Sequence, residues 1–367
     1  MSNLLKSVFD RKTIENLADR IALEYSEFNR ARFMGLVYDE RWEDRSLMER
    51  VRHLSTAIHQ SLDLPFSQTV DILQKVSVNF SGLFHFIFAD YVGQYGLSDY
   101  DTSIEALGFL TCGSTSEFAI REFLKQEPQR TLRVMQEWAK SDNEHLRRLS
   151  SEGIRPRLPW ASRLLWVEDN PDCVLPIIES LKTDSSAYVR KSVANLLNDF
   201  TKTQPQWVLD LFDRWISQSL IEEMPASTSW IIKHALRTLL KQANPQALAL
   251  VGYSSPDFGL IEHWETDRSA RIGERFCFNF SLSSAAGSLG RLRLEYALTF
   301  LRKGPKPYRK VFKIAEGEYL DKNRHFQKQH DFKPITTRRY YAGTHFIELI
   351  VNGKVLAASE FELLEAL

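Results

Sequence analysis

Two glutamates sit where a carboxylate is expensive unless it has work to do. Glu152 falls at the end of a helix that begins with Asp142 as its expected N-cap and must stop near Gly153, because Pro156 and Pro159 forbid continuation. On that helix His145, Arg148 and Glu152 share one face, and the helix dipole disfavours an acid at the C-terminal end. One reading makes Glu152 the exposed partner of Arg148, a pair worth about 0.3–0.5 kcal/mol. The other makes it a buried or half-buried carboxylate, which at that helix end needs a reason. Beyond the helix, Arg155 and Arg157 are stiffened by prolines beside Trp160, giving a basic turn tipped by an indole. A buried tryptophan anchor is the alternative for Trp160. The second glutamate is Glu117, in the loop-then-helix stretch Thr111–Arg121. Ser114-x-x-Glu117 fits a capping box, which would account for Glu117 without any chemistry.

The elements that carry these residues show a change of hydrophobic period near residue 255. Before it, Val189, Val193, Leu196, Leu197 and Phe200 follow helical spacing. After it, Phe276, Phe278, Phe280 and Leu282 alternate with polar residues, as do Leu292, Leu294, Tyr296, Leu298 and Phe300. Asn352-Gly353 between two such runs signals a hairpin. Within the helical part, Leu146-Arg147-Arg148, Val189-Arg190-Lys191 and Ile232-Lys233-His234 recur at a period of 43, as do Glu152, Asn195 and Thr238. Helix pairs of that length are the signature of HEAT-like repeats. The expected fold is therefore mainly α: a helical cap over 1–100, a HEAT-like helical-repeat solenoid over 101–255, and a small C-terminal immunoglobulin-like β-sandwich over 256–367. Gly252–Pro256 is the expected joint.

Equivalent positions of successive repeats point the same way. Arg147/Arg148, Arg190/Lys191 and Lys233/His234, extended by Arg237 and Lys241, should therefore form a ladder of cations. Such a ladder suits a phosphate backbone. Salt bridges between repeats are an equal alternative. The 367-residue chain has 47 basic and 47 acidic side chains, yet residues 256–367 hold 18 against 14, and Arg302–Arg339 hold 12 against four. That local surplus can attract a polyanion in a neutral protein, or can be an ordinary solvated surface. No apolar run approaches a membrane span, and the charged N-terminus argues against a secretory leader. Cys112, Cys173 and Cys277 are isolated, and no histidine pair has ligand spacing, so neither a disulfide framework nor a metal centre is expected.

Four stretches carry a resemblance: Thr115–Arg121, Ser151–Trp160, Val189–Asn195 and Trp230–Arg237. Together they resemble the AlkC branch of the HEAT-like-repeat DNA glycosylases. That resemblance implies an immunoglobulin-like domain after the repeats and a monofunctional, cofactor-free and metal-free enzyme. Its implied activity is release of small cationic alkylated bases, such as 3-methyladenine and 3-methylcytosine, from duplex DNA without a base-flipping pocket. It also implies a monomer in the bacterial cytoplasm, associated with the nucleoid. The related AlkD branch carries a Trp and an Asp four residues apart; here Trp160 is followed at that spacing by Leu164, and Trp166 meets Asp169 one residue too soon. Within the AlkC pattern the catalytic candidates are Glu152 and Glu117, with Trp160 favouring a cationic base through cation–π attraction. The DNA-binding candidates are Arg148, Arg155, Arg157, Arg190, Lys191, Asn195, Lys233, His234 and Arg237, with Lys303, Lys306 and Arg309 from the β-domain. A non-catalytic HEAT-repeat scaffold and a DNA-structure-binding protein are the rival readings.

Overall fold

The computed structural model describes residues 5–218, 223–253, 260–285, 287–302, 307–334 and 339–366. They divide into two compact units, 1–204 with 225–235, and 205–224 with 236–367.

The first unit is helical, and its helices start where polar residues can satisfy free backbone N–H groups. The Asp10 side chain accepts from Thr13 N at 2.7 Å, and Asn29 accepts from Arg32 N at 2.9 Å. Ser46 and Glu49 close a capping box at the start of helix Leu47–Leu62. Helix Phe86–Tyr95 packs against that helix and against Tyr100–Leu110, and Phe86 through Gly93 are all buried.

The 43-residue period is realised in helices. Helix Glu144–Glu152 packs on Ala187–Phe200, which packs on Ala226–Ala235. The repeated arginine makes the same local tie each time. Arg147 Nη1 donates to the carbonyls of Ser141 and Asp142 at 2.9 and 2.8 Å. Arg190 Nη1 donates to Asp184 and Ser185, one period later, at 2.9 and 2.6 Å. The N-cap of helix Glu144–Glu152 is Asn143, whose side chain accepts from His145 N at 2.9 Å, one residue after the expected Asp142. The helix does end at Glu152. Gly153 is buried behind it, and a Cβ there would lie 2.5 Å from Ile120 Cγ2. Only glycine lets this helix end approach the start of helix Ile120–Gln126 so closely.

The second unit opens with helices Pro205–Gln218, Arg237–Lys241 and Pro245–Leu250 and continues as eight strands. Strands β1 (Leu260–Thr266), β3 (Arg275–Ser283) and β6 (Asn323–Asp331) form one sheet in the order β1-β3-β6. Strands β2 (Ser269–Arg271), β4 (Gly290–Phe300), β5 (Tyr308–Tyr319), β7 (Gly343–Val351) and β8 (Lys354–Leu364) form the other, in the order β2-β8-β7-β4-β5. The alternating residues expected to face inward do so: Phe276, Phe278, Phe280, Leu282, Leu292, Leu294, Tyr296, Leu298 and Phe300 share one core. Each fully buried apolar side chain contributes about 1.5–3 kcal/mol. Asn352 and Gly353 take φ values of 45° and 81° between β7 and β8, the paired left-handed conformation a two-residue hairpin needs.

Candidate active site

Glu117, Glu152 and Asp199 alternate with Arg148, Arg155 and Lys202 in one connected network inside the helical unit. Arg148 Nη2 lies 2.6 Å from Glu117 Oε2 and 3.7 Å from Glu152 Oε1. Arg155 Nη1 donates to Glu152 Oε1 at 2.6 Å, and its Nε donates to Asp199 Oδ2 at 2.9 Å. Lys202 closes the line on Asp199 Oδ1 at 3.0 Å. Thr115 Oγ1 accepts from Arg148 Nη1 at 2.8 Å and donates to Glu117 Oε2 at 3.0 Å. All three acids and Arg155 are buried. Burying so many charges is costly unless each is paired, and here each is.

Two of the bland expectations fail at this point. The capping box at Ser114-x-x-Glu117 does not form: the helix starts later, at Ile120, with no side-chain cap, and Glu117 turns to Thr115 and Arg148. Glu152 is not the exposed partner of Arg148, because it is 5% exposed and its shorter contact is to Arg155. Each carboxylate is held through one oxygen. Glu117 Oε1 and Glu152 Oε2 have no hydrogen-bond partner among the described residues, yet neither is sealed from solvent. Burial pushes the Glu117 carboxyl above its ordinary range, against the pull of Arg148 and with the help of Glu152. Burial also works against the Arg155 charge, but Glu152 and Asp199 outweigh it and raise the pKa.

Trp160 is 59% exposed, so it is no buried anchor. Its backbone φ of 65° is left-handed, which a bulky side chain adopts only under constraint. The indole borders a cleft of about 300 Å³ that is also lined by Phe118, Asp90, Arg52, Glu49 and Glu122. Tyr188, at the start of helix Ala187–Phe200, lies over the Arg148 guanidinium at 5.1 Å. Arg121 is buried beneath the turn that carries Trp160 and donates to three of its carbonyls.

The cation ladder separates into two columns. Arg147 ties its own loop and reaches Asp184 in the next repeat at 2.7 Å, so the inter-repeat salt bridge describes this column. Arg190 ties its loop and lies 5.9 Å from the Trp230 ring centre. Lys233, in register with these two, is exposed; in the second column Arg148 enters the carboxylate site, whereas Lys191 is exposed. His234 stacks on Trp230 at 4.7 Å, and Asn195 is half-buried in register with Glu152. Arg157 holds Glu168 Oε1 through Nε and Nη2 at 3.1 and 2.9 Å, with Arg163 on the other oxygen. In the second unit Arg237 is half-buried and Arg309 Nε donates to Glu348 at 2.6 Å. Lys303 and Lys306 lie outside the described residues.

Reading the sequence missed Asp199, Lys202, Thr115, Tyr188 and Arg121. Asp199 carried no local signal, because its tie to Arg155 spans 44 residues. Arg121 was visible only as the last residue of the Thr115–Arg121 stretch. Among the described residues no group of His, Cys, Asp and Glu could hold a metal ion, and no helix is long and apolar enough to cross a membrane.

A HEAT-like helical unit with a buried arginine–carboxylate site, joined in one chain to an immunoglobulin-like sandwich, defines a narrow class. Comparison with known proteins gives that class its family. A family model described as DNA alkylation repair enzyme matches residues 110–239, and one described as the C-terminal Ig-like domain of the uncharacterised protein YhaZ matches 261–365. YhaZ of Bacillus subtilis (strain 168), itself uncharacterised, is 38% identical over 98% of this chain and 99% of its own. The Pseudomonas fluorescens alkylpurine DNA glycosylase AlkC, solved bound to DNA containing an abasic site analog, matches with a TM-score of 0.81 and 37% identity. That match covers 98% of this chain and 99% of AlkC. The chain belongs to the AlkC branch of the DNA alkylation repair family of HEAT-like-repeat alkylpurine DNA glycosylases.

Proposed function

We propose that this protein hydrolyses the N-glycosidic bond of small cationic alkylated bases, 3-methyladenine and 3-methylcytosine, in duplex DNA, acting as a monofunctional enzyme without a base-flipping pocket. The observation that carries the reading is the pair Glu117 and Glu152. They share one guanidinium nitrogen of Arg148, and each keeps its second oxygen without a protein partner among the described residues.

A base methylated at a ring nitrogen already bears positive charge, so it leaves without a general acid. As the bond stretches, the charge passes to an oxocarbenium-like sugar. A carboxylate beside that sugar stabilises the charge, and its neighbour can orient or deprotonate the attacking water. Arg148 and Arg155 hold the two glutamates in place, which spends no reorganisation at the moment of reaction. The exposed Trp160 indole favours a cationic base over a neutral one by about 0.5–2 kcal/mol.

In this reading residues 101–255 hold the catalytic repeats, 1–100 cap them, and 256–367 add DNA contacts through Arg309, Lys303 and Lys306. Lys191, Asn195, Lys233, His234 and Arg237 follow the phosphates, and Arg148, Arg155, Arg157 and Arg190 line the same path while holding their protein partners. The enzyme works as a monomer in the cytoplasm, at the nucleoid. The test is incubation with methylated duplex DNA under single-turnover conditions. The expected result is free 3-methyladenine and 3-methylcytosine with abasic, uncleaved strands. Salt-dependent duplex binding with no base released would instead favour a DNA-structure-binding protein, and neither binding nor release a protein scaffold.

A further inference from the structure

Arg121 is a buried cation that the reaction scheme above leaves without a role. It is the second residue of helix Ile120–Gln126 and is 1% exposed. Its Nη1 donates to the carbonyls of Gly153 at 3.0 Å and Arg155 at 2.7 Å, and its Nη2 donates to Ser162 at 2.5 Å. Burial lowers its pKa to about 10, which leaves it charged at neutral pH. Such a group needs compensation, yet its hydrogen bonds go to carbonyls alone, and its Nε has no partner among the described residues.

The three carbonyls bracket one segment. Gly153 follows Glu152 directly, and Ser162 lies two residues past Trp160. Pro156 and Pro159 remove two backbone donors from that segment, and Arg121 supplies donors to the carbonyls of Gly153, Arg155 and Ser162. The first of them closes helix Glu144–Glu152, where the dipole welcomes a cation. Between the clamped ends Trp160 holds its left-handed backbone with an exposed indole, a conformation that persists only when its surroundings over-determine it. The clamp also starts from the right place, because Arg121 lies four residues after Glu117. One guanidinium thus fastens the segment bearing Glu117 to the turn bearing Trp160.

We propose that Arg121 is a positioning residue for the glycosylase reaction, holding the 153–162 turn so that the Trp160 indole stays at the cleft it lines. The idea rests on the function proposed above, and one of its readouts does not. Amide hydrogen exchange over 157–162 should quicken in Arg121→Gln while helix Phe86–Tyr95 stays as protected as in wild type. Single-turnover release of 3-methyladenine should slow by roughly tenfold to a hundredfold, as small misplacements of a reacting group do. Duplex affinity should stay within about twofold, since no cation at the surface is lost. In a Trp160→Ala background the same substitution should cost much less, because the group it positions is gone. Should Arg121→Gln fail to fold, Arg121→Lys keeps the charge and carries the same readouts with smaller changes. Unchanged exchange in the turn, unchanged release, or an equal cost with and without Trp160 would each overturn the proposal. A wild-type protein that releases no base would sink the functional reading alone, leaving the exchange result to judge the clamp.

Discussion

In the helical unit, Glu117, Glu152 and Asp199 are buried and linked through Arg148 and Arg155 into one network. On the β-sandwich three pairs stand separate and largely exposed, Arg309 with Glu348, Arg324 with Asp321 and Lys333 with Asp331, while Arg293, Glu295, Glu316 and Lys313 form a second network in which Glu295 is buried. The difference lies in what each arrangement costs. An exposed pair exchanges one solvated state for another and is worth little. A buried network surrenders hydration for every member, and well-packed apolar residues of the same size would often be more stable. The site region therefore carries an arrangement that stability alone does not favour, as does the Arg293–Glu295 group, whereas the exposed sandwich pairs are surface.

Breaking one buried link should produce the largest effect. Arg155→Leu leaves Glu152 and Asp199 short of their closest partner, and chemical denaturation should show a loss of about 3–5 kcal/mol. A loss below about 1 kcal/mol would place this network with the exposed pairs.

The next effect is a pH dependence in which stability and rate pull apart. Burial raises the Glu117 pKa above its ordinary 4.5, so the protonated form is favoured in the folded protein. Its contribution to stability is then fully present below the ordinary value and is lost as pH rises through the raised one. The proposed reaction uses the ionised form, so base release should fall as pH drops through that same raised value. Glu117→Gln should therefore be more stable than wild type at neutral pH while lacking this acid limb, which unfolding curves and a pH–rate profile would show together.

The smallest effects belong to the surface. Lys191→Ala should weaken duplex binding across sequences and reduce the salt slope by about one, with release from bound DNA unchanged. Arg309→Ala should leave stability within about 0.5 kcal/mol of wild type. A larger change would mean that the sandwich pairs are coupled in a way their exposure conceals.

These two regions also differ in how far they could be read from sequence. The sandwich was legible because a strand's period of two is local, so Phe276 to Leu282 and the Asn352-Gly353 turn declare themselves within a few residues. The repeat was legible for the same reason at a period of 43, and proline placed the end of the helix at Glu152. The site was legible only in part. Arg148 meets Glu117 across 31 residues and Arg155 meets Asp199 across 44, contacts that no local pattern encodes. Local patterns also misled: Ser114-x-x-Glu117 has the spacing of a capping box, but the chain delays its helix to Ile120. Arg147 and Arg148 look alike in the sequence, yet one ties a loop and the other joins the carboxylates, because adjacent helical residues point about 100° apart.

The central claim is that Glu152 acts through its charge. The measurement is single-turnover release of 3-methyladenine by Glu152→Gln beside wild type, at one salt concentration, with folding and duplex affinity followed in parallel. The amide keeps the shape and most of the packing, so folding and affinity should survive. Loss of one such electrostatic contact typically costs about 2.7–4 kcal/mol, and release should slow by roughly a hundredfold to a thousandfold. A folded, DNA-binding Glu152→Gln protein that releases base within about threefold of wild type, against that hundredfold, would contradict the account.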